Sequence, residues 1–277
     1  MPELPEVETV RRGLAPALTG RRIDSLAVTR DRAVRRQPHA EFVATVRGRT
    51  IREVRRHGKF LIFDLGGGDA IVGHLRMSGQ LRIASPADDV AKHTHVVVDL
   101  DDGSQLRFVD PRTFGELYVD ELVGDRPRSL AHLGPDAIAR ITDRAFHERL
   151  VGQRRRATVK AALLDQTTVA GVGNIYADEA LFAARIHPQR PVTSVTAGDA
   201  AALRTNLQRI LRAAVASRGT TFDDFAYVDA YGRRGRFVPQ IYGRADRPCV
   251  RCGTPIAKLV VAQRGTHVCP TCQASPN

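Results

Sequence analysis

Residues 1–14 read MPELPEVETVRRGL, and the pattern that starts here decides how the fold begins. Through position 18 the apolar residues recur at spacings of three and four, which is the period of an α-helix. These residues are Leu4, Val7, Val10, Leu14 and Leu18. Gly20 supplies a C-terminal stop signal. The sequence therefore predicts a helix over residues 3–18 and places Glu3 and Glu6 on one face of it.

Pro2 adds chemistry to this stretch. If Met1 is removed, the Pro2 nitrogen becomes a free secondary amine with an unperturbed pKa of roughly 8, so much of it is neutral near physiological pH. A neutral amine is a nucleophile, and the carboxyl groups of Glu3 and Glu6 follow it directly. The start of the chain is therefore a candidate reactive group.

Composition limits the class of protein and of partner. The 277 residues suggest about two domains. The balance of 42 Lys and Arg against 30 Asp and Glu gives a net charge of +12, which indicates a polyanionic partner, with nucleic acid as the leading candidate. No apolar run approaches the roughly 20 residues of a membrane-spanning helix, and the acidic start is not typical of a signal peptide. We therefore expect a cytoplasmic protein without membrane association.

The chain changes from a β-rich half to a helical half. Short β-like runs lie between positions 22 and 119, at 23–28, 60–65, 70–75, 96–100, 106–109 and 116–119, and this density predicts a β-sandwich. Helical spacing follows at 142–151, 158–164, 175–184 and 197–217, with Thr142, Asn174 and Thr196 as predicted N-caps. The predicted fold class is α+β and multidomain. Its parts are residues 1–120, a linker at 121–135, a helical domain at 136–238 that ends in a long Gly-rich loop at 218–238, and a hairpin at 239–277.

The four cysteines give the strongest local signal. Their spacing, Cys249-x2-Cys252-x16-Cys269-x2-Cys272, is that of a four-thiolate structural zinc site on two hairpins. Two redox CxxC pairs are the alternative, but the βαβ pattern expected for that role is missing. Four thiolates leave no open position for a catalytic water, so one Zn²⁺ would fold this segment. Its basic surface is either a DNA-contacting face or a solvated charged face.

Two further motifs are more ambiguous. Gly171-Val-Gly173-Asn174 opens a helix just after the basic residues Arg154, Arg155, Arg156 and Lys160, which fits either a phosphate site or an ordinary helix start. Met77 and Phe114 lie near Arg112 on turns of the basic half. They either wedge into a base stack or belong to the core, and the pattern alone favours the core.

Taken together, ordered motifs along nearly the whole chain resemble the formamidopyrimidine-DNA glycosylase family. The motifs are PELPEVET, RRHGKFL, HLRMSG, KHTHV, DPRTFG, GVGNIYADEAL, GTTFDDF, IYGR, CVRCGTPI and CPTCQ. The family resemblance implies a helix-two-turns-helix domain with a zinc hairpin, and a monomer in the bacterial cytoplasm, near the nucleoid, acting on damaged double-stranded DNA. The start PELP, rather than PEGP, favours the branch that removes oxidised purines.

The resemblance also implies roles for individual residues. Pro2 would attack C1′ of the damaged nucleotide and form an iminium, after which β,δ-elimination cuts the strand, and Glu3 would protonate the sugar ring oxygen. Lys59 matches a proton donor in β-elimination. Arg264 matches the hairpin arginine of δ-elimination, although its high pKa favours a phosphate clamp. The DNA-binding residues implied by the match are Glu6, Met77, His93, Arg112, Phe114, Arg155 and Asn174.

Three positions depart from the common family pattern, and two other functions stay open. Thr113 replaces a frequent basic residue, Arg76 replaces a frequent Gly, and Tyr231 lies in the 218–238 loop where smaller or acidic residues are usual. The first alternative is an endonuclease VIII-like enzyme for oxidised pyrimidines. The second is a DNA-binding protein that recognises damage without cutting, against which Pro2 and Glu3 argue.

Overall fold

The computed structural model describes residues 1–152, 157–222 and 227–275 of the chain. Its helices are α1 (Leu4–Leu18), α2 (His39–Val46), α3 (Asp143–Gly152), α4 (Val159–Leu164), α5 (Asn174–Ala184) and α6 (Ala197–Ala216). Its strands are β1 (Ile23–Val28), β2 (Glu53–His57), β3 (Phe60–Asp64), β4 (Asp69–His74), β5 (Gln80–Ala84), β6 (Thr94–Leu100), β7 (Gln105–Val109), β8 (Glu116–Val123), β9 (Arg126–Pro127), β10 (Ala257–Val261) and β11 (Arg264–Val268).

The chain divides into two compact units. The first comprises Met1–His132 with Ser217–Arg236, and the second comprises Leu133–Ala216 with Phe237–Asn277. The sequence assigned the loop at 218–238 to the helical domain. Nearly all of this stretch that the structure describes instead packs with the first unit, because its contacts run to α1 and β5. The spacing of residues within the loop cannot predict packing against elements that are distant in the sequence.

The first unit is a β-sandwich preceded by α1, as the sequence predicts. One antiparallel sheet has the strand order β1-β6-β7-β5 and the other has the order β2-β3-β4-β8-β9. Side chains from both sheets fill one core, including Val98 and Phe108 from the first and Leu61 and Phe63 from the second. Four elements of this unit, β2, β5, β9 and α2, were not predicted, and β9 lies in the stretch predicted as a linker. The other three lie between or beside the predicted β-like runs.

Helix α1 is buried along one face against this core. The five apolar residues at helical spacing are at most 1% exposed, so the predicted period is confirmed. The helix is followed by Gly20 in the left-handed region at φ +85°, which is the predicted stop. Burial of this face anchors α1, and hence the residues at its N-terminus, to the sandwich.

A charged cluster on the other side of α1 fixes the helix to β2. Glu8, whose side chain is 8% exposed, lies 2.8 Å from both Arg11 and Arg12 and 3.1 Å from the buried Arg56 of β2. Burial alone would raise the pKa of Glu8. The hydrogen bonds from Arg11 and Arg12 and the charges of Arg11 and Arg56 outweigh it and lower the pKa to about 2.

We expect this cluster to make the first unit sensitive to acid. Because the pKa of Glu8 is lower in the folded state, its stabilising contribution is present above the unfolded value of about 4.5 and is lost as the pH falls towards about 2. An unscreened shift of this size corresponds to about 3 kcal/mol, which solvent around Arg12 reduces to roughly 1–2 kcal/mol. Glu8→Gln should lower the urea midpoint at pH 7, and the difference from the unsubstituted protein should shrink near pH 2.

The matched control is Glu41→Gln, which changes an exposed glutamate of α2. Urea unfolding followed by circular dichroism between pH 7 and pH 2 measures both variants. An equal deficit of Glu8→Gln at every pH would contradict the ion-pair explanation and indicate a packing defect instead.

The second unit combines helices α3–α6 with the hairpin β10–β11. The predicted helices agree with α3 to α6, and the hydroxyls of Thr142 and Thr196 accept the N-cap bonds from the amides of Ala145 and Asp199 at 3.2 and 3.1 Å. The Asn174 prediction is wrong in one detail, because the N-cap of α5 is Gly173 and Asn174 is the first helical residue. The Asn174 side chain is therefore free to bond elsewhere.

Within the described ranges, no helix is long and apolar enough to cross a membrane.

Candidate active site and zinc centre

The predicted nucleophile lies in a buried first turn. Pro2 is buried, and Glu3 is the N-cap of α1 with 2% of its surface exposed. The Glu3 amide donates to Glu6 Oε2 at 2.8 Å, which is one half of a capping box. The Glu3 side chain accepts from the Glu6 backbone in return, so its carboxyl is held at the first turn of α1, one residue after Pro2. The sequence placed Glu3 and Glu6 together, and the structure joins them by this bond.

Glu6 also binds the loop that follows α6. Its Oε1 accepts from the amide of Thr220 at 2.8 Å, and its backbone carbonyl accepts from the Tyr227 hydroxyl at 3.2 Å. Gly219 makes this approach possible, because its φ is +79° and a Cβ there would lie 2.7 Å from Glu6 Oε1. Glu6 is 2% exposed. One buried carboxylate thus bridges the first turn of the chain and residues 214 positions later.

Tyr231 anchors the far side of the same loop to α1. Its hydroxyl donates to the carbonyl of Gly13 at 3.2 Å, and Ala230 accepts a backbone bond from Ile83 at 3.0 Å. The buried Asp229 accepts from the amides of Tyr231 and Arg233 at 2.9 and 3.0 Å. The family resemblance implies that the 218–238 loop recognises the lesion, and the described part of this loop packs on α1, which directly follows Pro2 and Glu3. Residues 223–226 of the loop lie outside the described residues.

Lys59 lies in the turn between β2 and β3, where it is 7% exposed. Its neighbour His74 is buried, and burial first, then the charges of Arg76 and Lys59, lower the pKa of His74 to about 3. His74 is thus neutral near pH 7, and its Nδ1 accepts from the Arg76 amide at 2.9 Å. Lys59 is thus held in a poorly hydrated environment, whereas a lysine that only contacts phosphates at the surface would be exposed.

Met77, His93, Arg112 and Phe114 lie on three loops of the first unit. His93 and Arg112 are exposed, Met77 is partly buried, and Phe114 is 41% exposed. The Arg112 guanidinium lies 5.2 Å from the centre of the Phe114 ring. Phe114 is therefore a surface residue, and the interpretation of this aromatic as ordinary core is wrong. Arg155, predicted beside a phosphate, lies outside the described residues.

The four cysteines of the second unit form one cluster. All four Sγ atoms lie within 4.8 Å of one another, and the closest pairs are 3.4 Å and 3.5 Å apart. Four sulfurs around a tetrahedral zinc at about 2.3 Å would lie about 3.8 Å from each other, so the cluster has the size that Zn²⁺ requires. Amides of Arg251 and Cys272 point at the sulfurs of Cys249 and Cys269, both at 3.4 Å. Two separate redox pairs would not converge in this way, and the cysteines form the ligand set of one structural zinc ion.

Helix α5 fixes the zinc hairpin through charged side chains. The fully buried Lys160 of α4 lies 2.6 Å from Asp178 and donates to Thr266 Oγ1 of β11 at 2.7 Å. Asp178 also accepts from the His267 amide at 2.9 Å. Asn174 Nδ2 donates to the carbonyl of Gly265 at 2.8 Å. Instead of capping its helix, Asn174 holds the residue next to Arg264.

Glu179 of α5 anchors the segment that leads into the hairpin. Its carboxylate accepts from the amides of Gln240, Ile241 and Tyr242 at 2.8–3.0 Å. Burial raises the pKa of Glu179 despite these three bonds. The sequence prediction did not include Asp178 or Glu179 as site residues, and it counted Lys160 among the basic residues of a candidate phosphate site, which is wrong because Lys160 is fully buried and paired with Asp178. The available signal was an adjacent acidic pair inside an otherwise apolar helix, because such charges need buried partners.

Arg264 follows a two-residue turn and is exposed. The turn residues Ala262 and Gln263 have φ values of +48° and +59°, which is the left-handed geometry of a tight hairpin turn and is costly for residues other than Gly. Hydrogen bonds from Asn174 to Gly265 and from Lys160 to Thr266 hold the strand that begins with Arg264. Arg264 and Asn174 thus belong to one site in the second unit, and Pro2, Glu3, Glu6 and Lys59 belong to the first unit.

Three family models match the chain. Residues 1–117 match the formamidopyrimidine-DNA glycosylase N-terminal domain, residues 133–226 match the formamidopyrimidine-DNA glycosylase H2TH domain, and residues 247–274 match the zinc finger found in FPG and IleRS. The second match includes residues 217–226, part of which packs with the first unit in the structure.

Relatives and solved structures agree with these matches over the whole chain. A formamidopyrimidine-DNA glycosylase of Symbiobacterium thermophilum is 46% identical over 280 residues, which covers 100% of this chain and 90% of the relative. A Lactococcus lactis FPG mutant in complex with a Fapy-dG containing DNA has a TM-score of 0.87 at 33% identity, and the wild-type L. lactis protein in complex with an oxidized pyrimidine containing DNA has a TM-score of 0.85 at 33% identity. Both comparisons cover 99% of this chain and 100% of the solved one. The chain belongs to the formamidopyrimidine-DNA glycosylase family of zinc-finger DNA repair proteins.

Proposed function

We propose that this chain is a bifunctional DNA glycosylase and AP lyase that excises oxidised purines, such as 8-oxoguanine and formamidopyrimidines, from double-stranded DNA. The observation that carries this proposal is the first turn of α1. There Pro2 is buried, and the amide of the next residue, Glu3, donates to the Glu6 carboxylate in a capping box that holds the Glu3 side chain at the first turn. A damage-binding protein without catalysis would have no need for this arrangement.

The proposed reaction begins once Met1 has been removed. The Pro2 nitrogen forms a bond to C1′ while the glycosidic C1′–N bond breaks, the nitrogen gives up its N–H proton, and the base leaves after gaining a proton. Glu3 protonates the ring oxygen as the C1′–O bond opens. Because the proline nitrogen is secondary, the product is a cationic iminium with no N–H proton to lose. This cation is the electron sink for the next step.

Strand cutting follows because the iminium makes the proton on C2′ acidic. Loss of a C2′ proton expels the 3′ phosphate by β-elimination, and a second elimination expels the 5′ phosphate. Lys59, held with little solvent beside the neutral His74, is proposed as a proton donor in the β-elimination. Arg264 is always protonated and is proposed to hold a phosphate of the leaving strand, although a proton-donor role in δ-elimination stays open.

Binding of damaged DNA is proposed to use residues of both units. In the first unit these are Met77, His93, Arg112 and Phe114, and in the second they are Asn174 and Arg155. Glu6 is 2% exposed and both of its carboxylate oxygens accept from backbone amides, so it is proposed to act by holding the 218–238 loop and not by touching DNA. Extruding a base from the stack costs a few kcal/mol, which Met77, Arg112 and Phe114 would offset by filling the space that the base leaves. The solved L. lactis relatives bound to lesion-containing DNA support this part of the proposal.

Reduction with borohydride tests the covalent intermediate. The processed protein, mixed with a duplex that carries 8-oxoguanine opposite cytosine, should give a stable protein–DNA adduct, since borohydride converts the iminium to an amine. Intact mass and denaturing gels measure the adduct. A matched duplex with guanine in place of 8-oxoguanine is the control. Binding of the lesion duplex without adduct or strand cutting would contradict the proposal and favour a non-catalytic damage-binding protein.

Oxidised pyrimidines remain a second candidate substrate class, because the wild-type L. lactis relative was solved with an oxidized pyrimidine containing DNA. Duplexes with 8-oxoguanine and with thymine glycol, compared side by side under single-turnover conditions, separate the two. We expect faster cutting of the 8-oxoguanine duplex. A clear preference for thymine glycol would overturn the purine assignment while leaving the lyase chemistry in place.

A further inference from the structure

Three loops of the first unit share an unusual backbone feature. Arg76 in residues 75–79, His93 in residues 91–94 and Thr113 in residues 110–115 all have left-handed conformations, with φ values of +50°, +68° and +53°. Each such residue is costly unless the surrounding structure determines its conformation. The same loops carry Met77, His93, Arg112 and Phe114. Contacts with the surrounding residues must therefore hold all three loops in these conformations.

The side chain of Asp110 joins two of these loops. Asp110 is fully buried, and its Oδ1 accepts from Ser78 Oγ at 2.5 Å and from the Arg112 amide at 3.2 Å. Its Oδ2 accepts from the Gly115 amide at 2.7 Å. The contact with Ser78 reaches the turn that holds Met77, and the contacts with Arg112 and Gly115 shape the turn that holds Phe114. One carboxylate thus fixes both turns.

The backbone of Asp110 joins the third loop. Its amide donates to the carbonyl of His93 at 3.0 Å, and its carbonyl accepts from Nε2 of the buried His95 at 2.8 Å. His93 is exposed, although its carbonyl takes part in the first of these two bonds. All three loops therefore meet at one residue that has no exposed surface of its own.

The packing around Asp110 leaves little room for another arrangement. A Cβ on Gly115 would lie 2.6 Å from the Phe108 ring and 3.1 Å from Asp110 Oδ2. A Cβ on Gly79 would lie 2.7 Å from the Leu75 carbonyl. The turns at 75–79 and 110–115 both pack against the Phe108 ring and the Asp110 carboxylate, so their conformations are fixed before DNA binds.

We propose that Asp110 is the positioning residue for the DNA-facing set Met77, His93, Arg112 and Phe114, and that its bond to Ser78 sets the Met77 turn relative to the Arg112–Phe114 turn. This proposal rests on the proposed function, because it concerns how the side chains proposed to extrude the base are held in position. Side chains that are held in position before binding lose less conformational freedom when they enter the base stack.

Ser78→Ala is the sharpest test, because the Ser78 hydroxyl links the two turns twice, donating to Asp110 Oδ1 and accepting from the Arg112 amide at 3.3 Å, and its removal leaves the other bonds of Asp110 in place. We expect it to lower single-turnover base excision from an 8-oxoguanine duplex by about tenfold, the effect of losing one such hydrogen bond to a charged group. Cutting of a single-stranded oligonucleotide with a preformed abasic site should change by less than about twofold, because it has no paired base to extrude. Ser78→Thr, which keeps the hydroxyl, should restore excision.

The matched control is Ser104→Ala. Ser104 also donates its hydroxyl to an aspartate, Asp102 Oδ1 at 2.7 Å, on the turn between β6 and β7, where no DNA-facing residue is predicted. Asp110→Asn serves as a second variant, because an amide cannot replace both acceptor oxygens. The fluorescence of 2-aminopurine placed beside the lesion reports unstacking directly, and it should rise more slowly with Ser78→Ala than with Ser104→Ala.

Two outcomes would overturn the proposal. Equal losses on the duplex and on the single-stranded abasic substrate would indicate a general structural defect. Duplex excision by Ser78→Ala at the rate of Ser104→Ala would show that the link does not position the set. Failure of the proposed function itself is distinguishable, because the unsubstituted protein would then form no borohydride adduct and cut neither substrate.

Discussion

A chain that keeps Met1 on Pro2 will bind lesion-containing DNA but will form no borohydride adduct and will not cut the strand. With Met1 attached, the Pro2 nitrogen is part of a peptide bond, so its lone pair is delocalised and it cannot attack C1′. Loss of a covalent nucleophile commonly costs several orders of magnitude, and we expect strand cutting to fall at least about a thousandfold. Met1 is 40% exposed in the structure, so its presence should leave the fold and the DNA-facing loops intact.

The control for this prediction differs by a single residue. Protein that retains Met1, produced with methionine aminopeptidase inhibited, is divided, and one half is treated with the aminopeptidase to expose Pro2. Intact mass verifies the processing, fluorescence anisotropy measures DNA affinity, and denaturing gels measure adduct and cut strand. Activity should return only in the treated half. Equal trapping in both halves would identify another nucleophile, and equal affinity would show that the loss concerns chemistry and not binding.

Removal of zinc will unfold the β10–β11 hairpin and weaken DNA binding. The apolar cluster under this segment is small, consisting of Phe182, Ile241, Cys249, Ile256 and Cys269, and two of these are themselves zinc ligands. Structural zinc sites supply about 10–16 kcal/mol at neutral pH, which a cluster of this size cannot replace. Without the hairpin, Arg264 is no longer held by the bonds from Lys160 and Asn174 to its neighbours. Loss of one charge-assisted phosphate contact alone weakens binding at least about tenfold.

Two variants at one exposed ligand separate the metal from the packing. Cys252→Ser removes a thiolate, whereas Cys252→His keeps a side chain that zinc accepts. We expect the serine variant to lose zinc, hairpin amide protection in hydrogen exchange, and DNA affinity, and the histidine variant to retain most of each. Chelation of the unsubstituted protein followed by addition of Zn²⁺ should be reversible. Full DNA affinity in a chelated, zinc-free protein would contradict the prediction, and so would an intact hairpin in that protein.

Long periodic elements and closely spaced ligands could be predicted from the sequence. The four longest helices follow from apolar spacing, and the zinc site follows from two CxxC pairs. Three of the shorter elements could not be predicted in this way. Strand β2 reads EVRRH and β5 reads QLRIA, so arginine side chains on partly buried positions hide the alternation. Helix α2 reads HAEFVATV, and its β-branched residues Val43, Thr45 and Val46 are typical of a strand, whereas the shorter α4 carries Ala and Leu and was predicted.

The supports of the site were harder to predict than its reactive groups. The cysteines are recognisable from their spacing, and the roles of Pro2 and Glu3 are implied by the resemblance of the ordered motifs to the family. Asp110, Lys160 and Asp178 act through partners that the fold brings from 32 to 106 positions away, and a local pattern holds no information on such partners. Asn174 illustrates the difference. Its type fits an N-cap, but a long-range acceptor at Gly265 takes its amide instead.

The bridge from Glu6 to Thr220 has a consequence for how the protein can be divided. The sandwich unit is discontinuous in sequence, because Ser217–Arg236 return to it after the chain has formed the helices of the second unit. A fragment that stops at His132 would contain every predicted reactive group of the first turn, yet the Glu6 carboxylate would lose the Thr220 amide that donates to one of its oxygens. The ribosome must therefore deliver about 220 residues before the first turn of α1 acquires its final hydrogen-bond partner. Completion of this turn is thus a late event in synthesis, although α1 is the first helix to emerge.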